Sequence, residues 1–194
     1  FLEKVRVIPE IDLTEAYVNQ MKNEVRFLIA YYYSLMIELY GPIPFTPGVI
    51  YPVDASESEL MTPQVPYDQI VDWIDKELLD VSKNLPAVYP SNADWGKATS
   101  IMALAIRAKT LLYAASPLFN GGYPEAIALK DNQGKQLFPA KDDTKWKTAL
   151  DALQRFIDYS KGRYSLYQVM KNGEIDPAES LYQLFQVSVN NSEA

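Results

Sequence analysis

The chain of 194 residues contains no histidine and no cysteine. Without histidine it cannot build a Ser-His-Asp or Cys-His catalytic centre, and it has no side chain whose ordinary pKa lies near neutrality. Without cysteine it has no disulfide, no thiolate nucleophile and no zinc–thiolate site. These two absences disfavour most classes of enzyme within these residues.

Basic residues are also fewer than acidic ones. The chain has 18 Lys and Arg residues against 25 Asp and Glu residues, a net charge of −7. Because nucleic-acid binding depends on basic side chains that neutralise phosphates, we expect no nucleic-acid partner. Charged residues interrupt the apolar runs well before the ~20 residues that a membrane span needs. No glycine-rich nucleotide motif occurs, so no cofactor is expected.

Pairs of acidic residues are candidate catalytic groups, since glycoside hydrolysis needs two positioned carboxyl groups. Asp72 and Asp75 lie on a predicted polar helix face, and Asp142 and Asp143 lie near a helix N-terminus. Acids at such places are normally solvated or stabilise the helix. No run has the alternate-residue spacing of a calcium loop. We therefore assign no catalytic and no metal-binding residue.

The first helix is predicted over residues 14–39. Apolar residues recur there at alternating spacings of three and four, which places them on one helical face. Gly41 and Pro42 end this helix, because glycine suits the cap and proline cannot continue the hydrogen-bond ladder. The predicted buried stripe is Val18, Met21, Val25, Leu28, Tyr32, Leu35 and Leu39.

Three further helices are predicted. The second spans residues 67–84, the third begins after the N-cap Thr99, and the fourth covers about residues 142–161. Long loops separate them, and the one after the third helix has about 25 residues, which is longer than usual. The predicted core faces are Ile70, Ile74, Leu78, Val81 and Leu85; Ile101, Leu104, Ala105, Ala108, Leu112 and Ala115; and Trp146, Ala149, Leu150, Leu153, Phe156 and Ile157.

These elements predict an all-α fold made of helical hairpins with long loops, in one helical-repeat region over residues 1–194. The second and third helices form one hairpin, and the fourth could open another with Tyr164, Leu166 and Tyr167. The hairpins are similar to tetratricopeptide repeats, although no clean 34-residue period recurs. Residues 181–189 could form a short strand or helix.

Aromatic residues make up 12% of the chain. Aromatic rings with polar rims suit the flat faces of sugars, but they also suit a packed core. On helix stripes, as at Tyr32 and Trp146, we expect core packing. The ligand-binding candidates lie in loops: Trp95 precedes the third helix, and Tyr123 follows Asn120 in an Asn-Gly-Gly turn, where the amide could donate and accept hydrogen bonds.

Three segments carry a resemblance to a known family. Residues 96–122 form an alanine-striped helix that ends in Ser-Pro-Leu-Phe-Asn-Gly-Gly, and residues 24–45 contain Ala-Tyr-Tyr-Tyr followed by Leu-Tyr-Gly-Pro-Ile-Pro-Phe. A looser match joins Gln-Leu-Phe-Pro at 136–139 to Trp146 and to Gly-Arg-Tyr at 162–164. Together they resemble the SusD/RagB family of nutrient-binding lipoproteins of the Bacteroidota. Family members usually carry Arg where Ile29 stands.

The resemblance implies a tetratricopeptide-like helical scaffold and a function in nutrient uptake. It implies a surface-exposed outer-membrane lipoprotein that binds a glycan, or less often a peptide, and delivers it to a SusC-like TonB-dependent transporter without cleavage. The family's members are much longer, so this chain is expected to be an internal piece, with the N-terminal segments, the lipid-anchored cysteine and the C-terminal part outside it. In the family, the ligand groove is built largely from those outside parts.

Two other functions are weighed beside this one. A tetratricopeptide-like scaffold whose partner is another protein would present a concave helical surface to a peptide. An enzyme is disfavoured, because no catalytic constellation is present among these residues.

Overall fold

The computed structural model describes residues 1–186. In this part the fold is all-α, as predicted, apart from one two-stranded hairpin. The elements are α1 Glu15–Tyr40, α2 Glu57–Leu60, α3 Tyr67–Asn84, α4 Ser100–Ala115, α5 Pro124–Ile127, α6 Thr144–Ser160, β1 Met170–Lys171, β2 Glu174–Ile175 and α7 Pro177–Leu184, with 3-10 turns at Pro9–Ile11 and Asn92–Asp94.

The four long helices pack in chain order. α1 packs on α3, α3 packs on α4, and α4 packs on α6, with a smaller contact between α1 and α4. The predicted hairpin of α3 and α4 is therefore confirmed. α6 packs on α4, whereas its expected partners Tyr164 and Leu166 are exposed. The stack has the tetratricopeptide-like character that the sequence predicts.

α3 is the helix that the sequence predicts best. Its bounds agree with the prediction, and Ile70, Ile74, Leu78 and Val81 are fully buried between its neighbours. Leu85, at 6% exposure, ends the helix next to Pro86. The remaining face of α3 is mostly polar, so the helical period of 3.6 residues allows a single apolar stripe. The buried face could therefore be predicted without ambiguity.

α1 begins after Thr14, whose side chain accepts a hydrogen bond from Tyr17 N at 3.2 Å, and it ends at Gly41. Its predicted stripe is wrong except near the N-terminus, where Val18 is buried. The C-terminal half is apolar almost all round, so two stripes fit the sequence equally, and α3 covers the one with the smaller residues. The buried residues are Val18, Asn23, Phe27, Ala30, Ser34 and Ile37, while Leu28, Tyr32 and Leu39 are exposed.

α4 lies between α3 and α6, so opposite faces of it are buried. Thr99 caps it as predicted, accepting a hydrogen bond from Met102 N at 3.1 Å. Its buried positions are dominated by small residues, which allows two neighbouring helices to approach closely. Leu112 of the predicted face is partly exposed, and Leu111 is buried in its place. The small buried residues are Ser100, Ala103, Ala108, Thr110, Ala114 and Ala115.

α6 contacts α4 through alanines. Ala149 and Ala152 are its buried residues, and Tyr159 Oη lies 3.2 Å from Ser100 Oγ of α4. The larger residues of the predicted face flank this line, and Trp146, Leu150 and Ile157 are 46%, 62% and 47% exposed. The expectation of core packing at Trp146 and at Tyr32 of α1 is therefore wrong.

Ion pairs join the helices at their edges. Arg26 of α1 lies 2.6 Å from Glu77 and 2.9 Å from Asp80 of α3. Its hydrogen bonds to Glu77, more than any other contact, raise the pKa of the Arg26 guanidinium. Arg107 of α4 lies 2.7 Å from Asp75 of α3, and Lys145 of α6 lies 2.7 Å from Asp68. These contacts fix the rotation of α3 relative to three other helices.

The C-terminal part is a small appendage. β1 and β2 pair antiparallel, with Met170 opposite Ile175, and α7 follows with Asp176 as its N-cap. Of the predicted element at residues 181–189, residues 181–184 are helical, and residues 187–189 lie outside the described part. Within residues 1–186, no helix is long and apolar enough to cross a membrane.

The alanine contact between α4 and α6 makes a quantitative prediction. Ala149→Leu inserts a larger side chain at a position that is 1% exposed, and overpacking of this kind costs about 1–3 kcal/mol of unfolding free energy. Ala16→Leu is the matched control, because Ala16 is an exposed residue of α1. Urea unfolding of the intact protein checks this, and equal effects of the two substitutions would contradict the packing described.

Candidate functional site

A cavity of about 410 Å³ opens where the C-terminus of α1 meets the long connection between α4 and α6. We call it the aromatic cavity. Each of the three segments with sequence resemblance contributes to it: residues 39–41, residues 118–123 and Phe138. The lining residues are Glu38, Leu39, Tyr40, Gly41, Leu118, Phe119, Tyr123, Glu125, Ala126, Leu129 and Phe138.

Three stacked rings form the floor of the cavity. The Phe119 ring lies 4.8 Å from the ring of Tyr67 at the start of α3, and Phe138 lies 5.9 Å from Tyr67 and 6.4 Å from Phe119, measured between ring centroids. Tyr67 is 1% exposed, and burial raises the pKa of its hydroxyl far above the ordinary value. The hydroxyl therefore stays neutral, and the floor is uncharged.

Gly41 allows this floor to form. A Cβ built on Gly41 would lie 2.8 Å from Cζ of Phe138, and the residue has a φ of +67°. A side chain here would collide with the ring and would also adopt a rarely populated backbone conformation. The glycine that ends α1 is thus also the residue over which Phe138 packs.

Asn120 ties the cavity wall to the start of α6. Its side-chain amide donates to the carbonyls of Ala115 at 3.4 Å and Asp142 at 2.8 Å, and its side-chain oxygen accepts from Asp142 N at 2.9 Å. The residue is 2% exposed. We call Asn120 with Gly121 and Asp142 the clamp. The polar atoms of Asn120 are occupied by the chain itself, so they are not free to contact a ligand.

Gly121 completes the clamp through a close backbone approach. A Cβ built on it would overlap the backbone nitrogen of Lys141 and would lie 2.8 Å from the Cα of Lys141. Its φ is +70°, in the region that side chains disfavour. The Asn-Gly-Gly turn is therefore required for packing, and it brings Phe119 and Tyr123 to the cavity.

The rim combines aromatic rings with carboxylates. Tyr40 and Tyr123 are 73% and 49% exposed, so their ring faces and hydroxyls are accessible. Glu38 lies 2.9 Å from Lys109 of α4, and this hydrogen bond raises the pKa of the Lys109 ammonium. Glu125, in the first turn of α5, is exposed. Such a rim can stack on an apolar ring face and accept hydrogen bonds from hydroxyl groups.

The sequence-predicted candidates do not form one site. Tyr123 lines the cavity, and Asn120 lies behind it in the clamp. Trp95, which is 57% exposed, lies before α4, whereas Tyr123 lies beyond its other end, and 16 residues of helix span about 24 Å. Near Trp95, Lys97 and Asp94 form an ion pair of 2.6 Å. One sugar residue cannot contact both Trp95 and Tyr123.

Sequence reasoning missed most of the other lining residues. The segments that carry the family resemblance contain Tyr40, Gly41 and Phe138. Their place in these segments is the one sequence signal that could have identified them as lining residues. What it could not show is that segments so distant in the chain meet, because that contact depends on how α1, α3 and α4 dock. Glu125 carried no signal, since one acid in a polar loop is ordinary.

No protein-family model and no curated protein matches the chain in sequence. Among solved structures, BT4246 is 36% identical with a TM-score of 0.71, over 80% of this chain and 27% of BT4246. The SusD-like carbohydrate-binding protein BF0978 of Bacteroides fragilis is 17% identical with a TM-score of 0.56, over 79% of this chain and 24% of its own. Surface glycan-binding protein A of Bacteroides uniformis is 21% identical with a TM-score of 0.50, and the match covers 82% of this chain and 28% of that protein.

The chain therefore spans about a quarter of the length of these proteins, as the shares of 27%, 24% and 28% show. The likeness to BT4246 includes sequence as well as fold. The likeness to the other two proteins is one of fold alone.

The clamp predicts that the substitution of glycine by alanine lowers the free energy of unfolding more at Gly121 than at Gly134. Gly121→Ala and Gly134→Ala both place alanine at positive φ, at +70° and +82°, but a Cβ at Gly134 meets nothing within 4 Å. Gly134→Ala should cost about 1–2 kcal/mol, from backbone strain alone. Gly121→Ala should cost about 2 kcal/mol more, from the clash with Lys141. Urea unfolding measures both, and equal costs would refute the close approach.

Proposed function

Because this chain belongs to the SusD-like family, we propose that the protein of which it forms part captures a glycan at the cell surface and delivers it to a SusC-like TonB-dependent transporter without cleaving it. The observation that carries this proposal is the shared fold and sequence of the helical stack. The family resemblance further supports an outer-membrane lipoprotein that is held at the cell surface by a lipid anchor. A peptide in place of a glycan is the less common alternative within the family.

Within this chain, we propose the aromatic cavity as a glycan contact. Its volume of about 410 Å³ falls within the roughly 300–1,000 Å³ of small-molecule sites. The ring faces of Tyr40 and Tyr123 can stack on the apolar faces of a sugar, and Glu125 can accept hydrogen bonds from its hydroxyls. The rings of Tyr67, Phe119 and Phe138 are packed against one another, and the clamp holds the turn that follows Phe119. A ligand therefore meets a largely preformed surface, which reduces the entropy cost of binding.

Capture without cleavage is supported by the acids of the cavity. Glycoside hydrolysis needs two carboxyl groups, one on each side of the scissile bond. Of the two carboxylates that line the cavity, Glu38 is held by Lys109 at 2.9 Å. The cavity thus offers Glu125 as a hydrogen-bond acceptor for a ligand and, among the described residues, no second carboxylate that is free of an ion pair.

A protein-binding scaffold is the second candidate function, and the exposed face of α1 favours it. Leu28, Tyr32 and Leu39 are 44%, 59% and 75% exposed on one helix. An exposed apolar helix face is typical of a surface that contacts another polypeptide. Binding of peptides, with no binding of any oligosaccharide by the full-length protein, would favour this function over glycan capture.

Tyr123 gives the direct test of the cavity. In the full-length protein, Tyr123→Ala should weaken binding of a captured oligosaccharide at least about fivefold, because stacking on one aromatic ring is worth about 1 kcal/mol beyond its buried area. Tyr182→Ala is the control, since Tyr182 is 61% exposed on α7 and does not line the cavity. Calorimetry measures binding, and chromatography after long incubation detects products. Released products would refute capture without cleavage, and equal affinities would remove the cavity from the site.

Trp95 remains a predicted contact, and its distance from the cavity decides how to test it. Trp95→Ala should weaken binding of long oligosaccharides, which can reach both ends of α4, and should leave short ones unaffected. Trp146→Ala is the matched control, since Trp146 is 46% exposed on α6. If Trp95→Ala and Trp146→Ala change the affinity for long chains equally, Trp95 is not a ligand contact.

A further inference from the structure

We infer that the aromatic cavity takes sugar residues that lack acidic groups and rejects those that carry a carboxylate or a sulfate. The inference rests on the proposed function and names the ligand class of the same site. Glu125 is its specificity-determining residue, because it places a negative charge on the cavity wall without a cation beside it.

The first observation is the charge of the lining. Of the described side chains around the cavity, Glu38 and Glu125 are charged, and both are negative. No Lys or Arg is among the residues that line it. An acidic sugar would therefore lose hydration and meet repulsion, with no cation in the wall to compensate.

The second observation is that three lysines near the cavity are already paired with carboxylates. Lys109 lies 2.9 Å from Glu38 and 5.4 Å from the centre of the Tyr113 ring, so it is held on the α4 side. Lys141, next to the clamp, lies 2.9 Å from Asp143. Lys145, at the start of α6, lies 2.7 Å from Asp68. To bind an anionic ligand, each of these cations would first have to give up an existing partner.

The third observation is the apolar floor. Phe119 and Phe138 are 7% exposed and partly buried, and Tyr67 beneath them stays neutral. A low-dielectric wall screens charge less than water does, so the field of Glu125 acts further into the cavity than it would on an open surface. Sugar hydroxyls are donors as well as acceptors, so an uncharged sugar can donate to this carboxylate.

The test uses pairs of oligosaccharides with the same sugar backbone, of which one member carries acidic groups and the other has them blocked or removed. Examples are oligogalacturonides and their methyl esters, and sulfated oligosaccharides and their desulfated forms. We expect the full-length protein to bind the uncharged member of a pair at least fivefold more tightly, which corresponds to one carboxylate repulsion across a hydrated gap. High salt should reduce this difference in affinity, since screening by ions weakens the repulsion between the acidic sugar and Glu125.

Glu125→Gln should reduce at least twofold the ratio between the affinities for the uncharged and the acidic member of a pair, because it removes the negative charge from the cavity wall. It should also weaken binding of the uncharged member, which loses a charged hydrogen-bond acceptor. Glu57→Gln is the control, because Glu57 is also an exposed acid in the first turn of a four-residue helix, α2, away from the cavity. It should leave the difference unchanged. An equal reduction by both variants would refute a specific role for Glu125.

The outcomes separate this inference from the proposed function. Tighter or equal binding of the acidic members would overturn the inference and leave glycan capture intact. Binding of neither member of any pair, and of no other oligosaccharide, by the full-length protein would overturn glycan capture, and the inference with it.

Discussion

The close contact of α4 with both α3 and α6 is the constraint on which the remaining structure depends. A helix between two others must be narrow on opposite faces, and α4 meets this with alanine, serine and threonine at its buried positions. The partner surface of α6 is likewise formed by Ala149 and Ala152. Because the helices approach through small residues, the larger side chains are displaced to the edges of the stack, where several are exposed. The resulting surface is rich in aromatic and aliphatic groups.

The aromatic cavity follows from how the ends of this stack are connected. The helix α1 ends in Gly41, which lets Phe138 cover the backbone. The turn after α4 contains Asn120, which holds the backbone of Asp142 just before α6. Tight packing thus determines the residue types at Gly41, Phe138 and Asn120 around the cavity. No close packing restricts the rim residues Tyr40, Tyr123 and Glu125, which are exposed. Structural roles and the proposed ligand-contacting roles therefore belong to neighbouring positions of the same segments.

The four long helices and the approximate place of one candidate residue could be predicted from the sequence, whereas the short helices α2 and α5 lie in segments that the sequence predicts to be loops. The reasons differ by element. For α3 a single apolar stripe exists, so its buried face could be predicted residue by residue. For α1 and α6 the sequence offers more apolar surface than the neighbours cover, and the choice between stripes is made by tertiary packing. Tyr123 could be suggested from its turn, but the burial of Asn120 depends on a contact with Asp142 in another helix cap, which no local pattern shows.

The contact of Gly41 with Phe138 also bears on the order in which the molecule folds. The two residues lie in segments that meet after the long loops following α1 and α4 have closed, and such long-range closures are slow and entropically costly. The cavity is therefore complete in the fully docked stack and absent from partly folded forms. Any ligand that binds there stabilises the native state alone, so its binding energy adds to the cooperativity of the whole helical stack rather than to one loop.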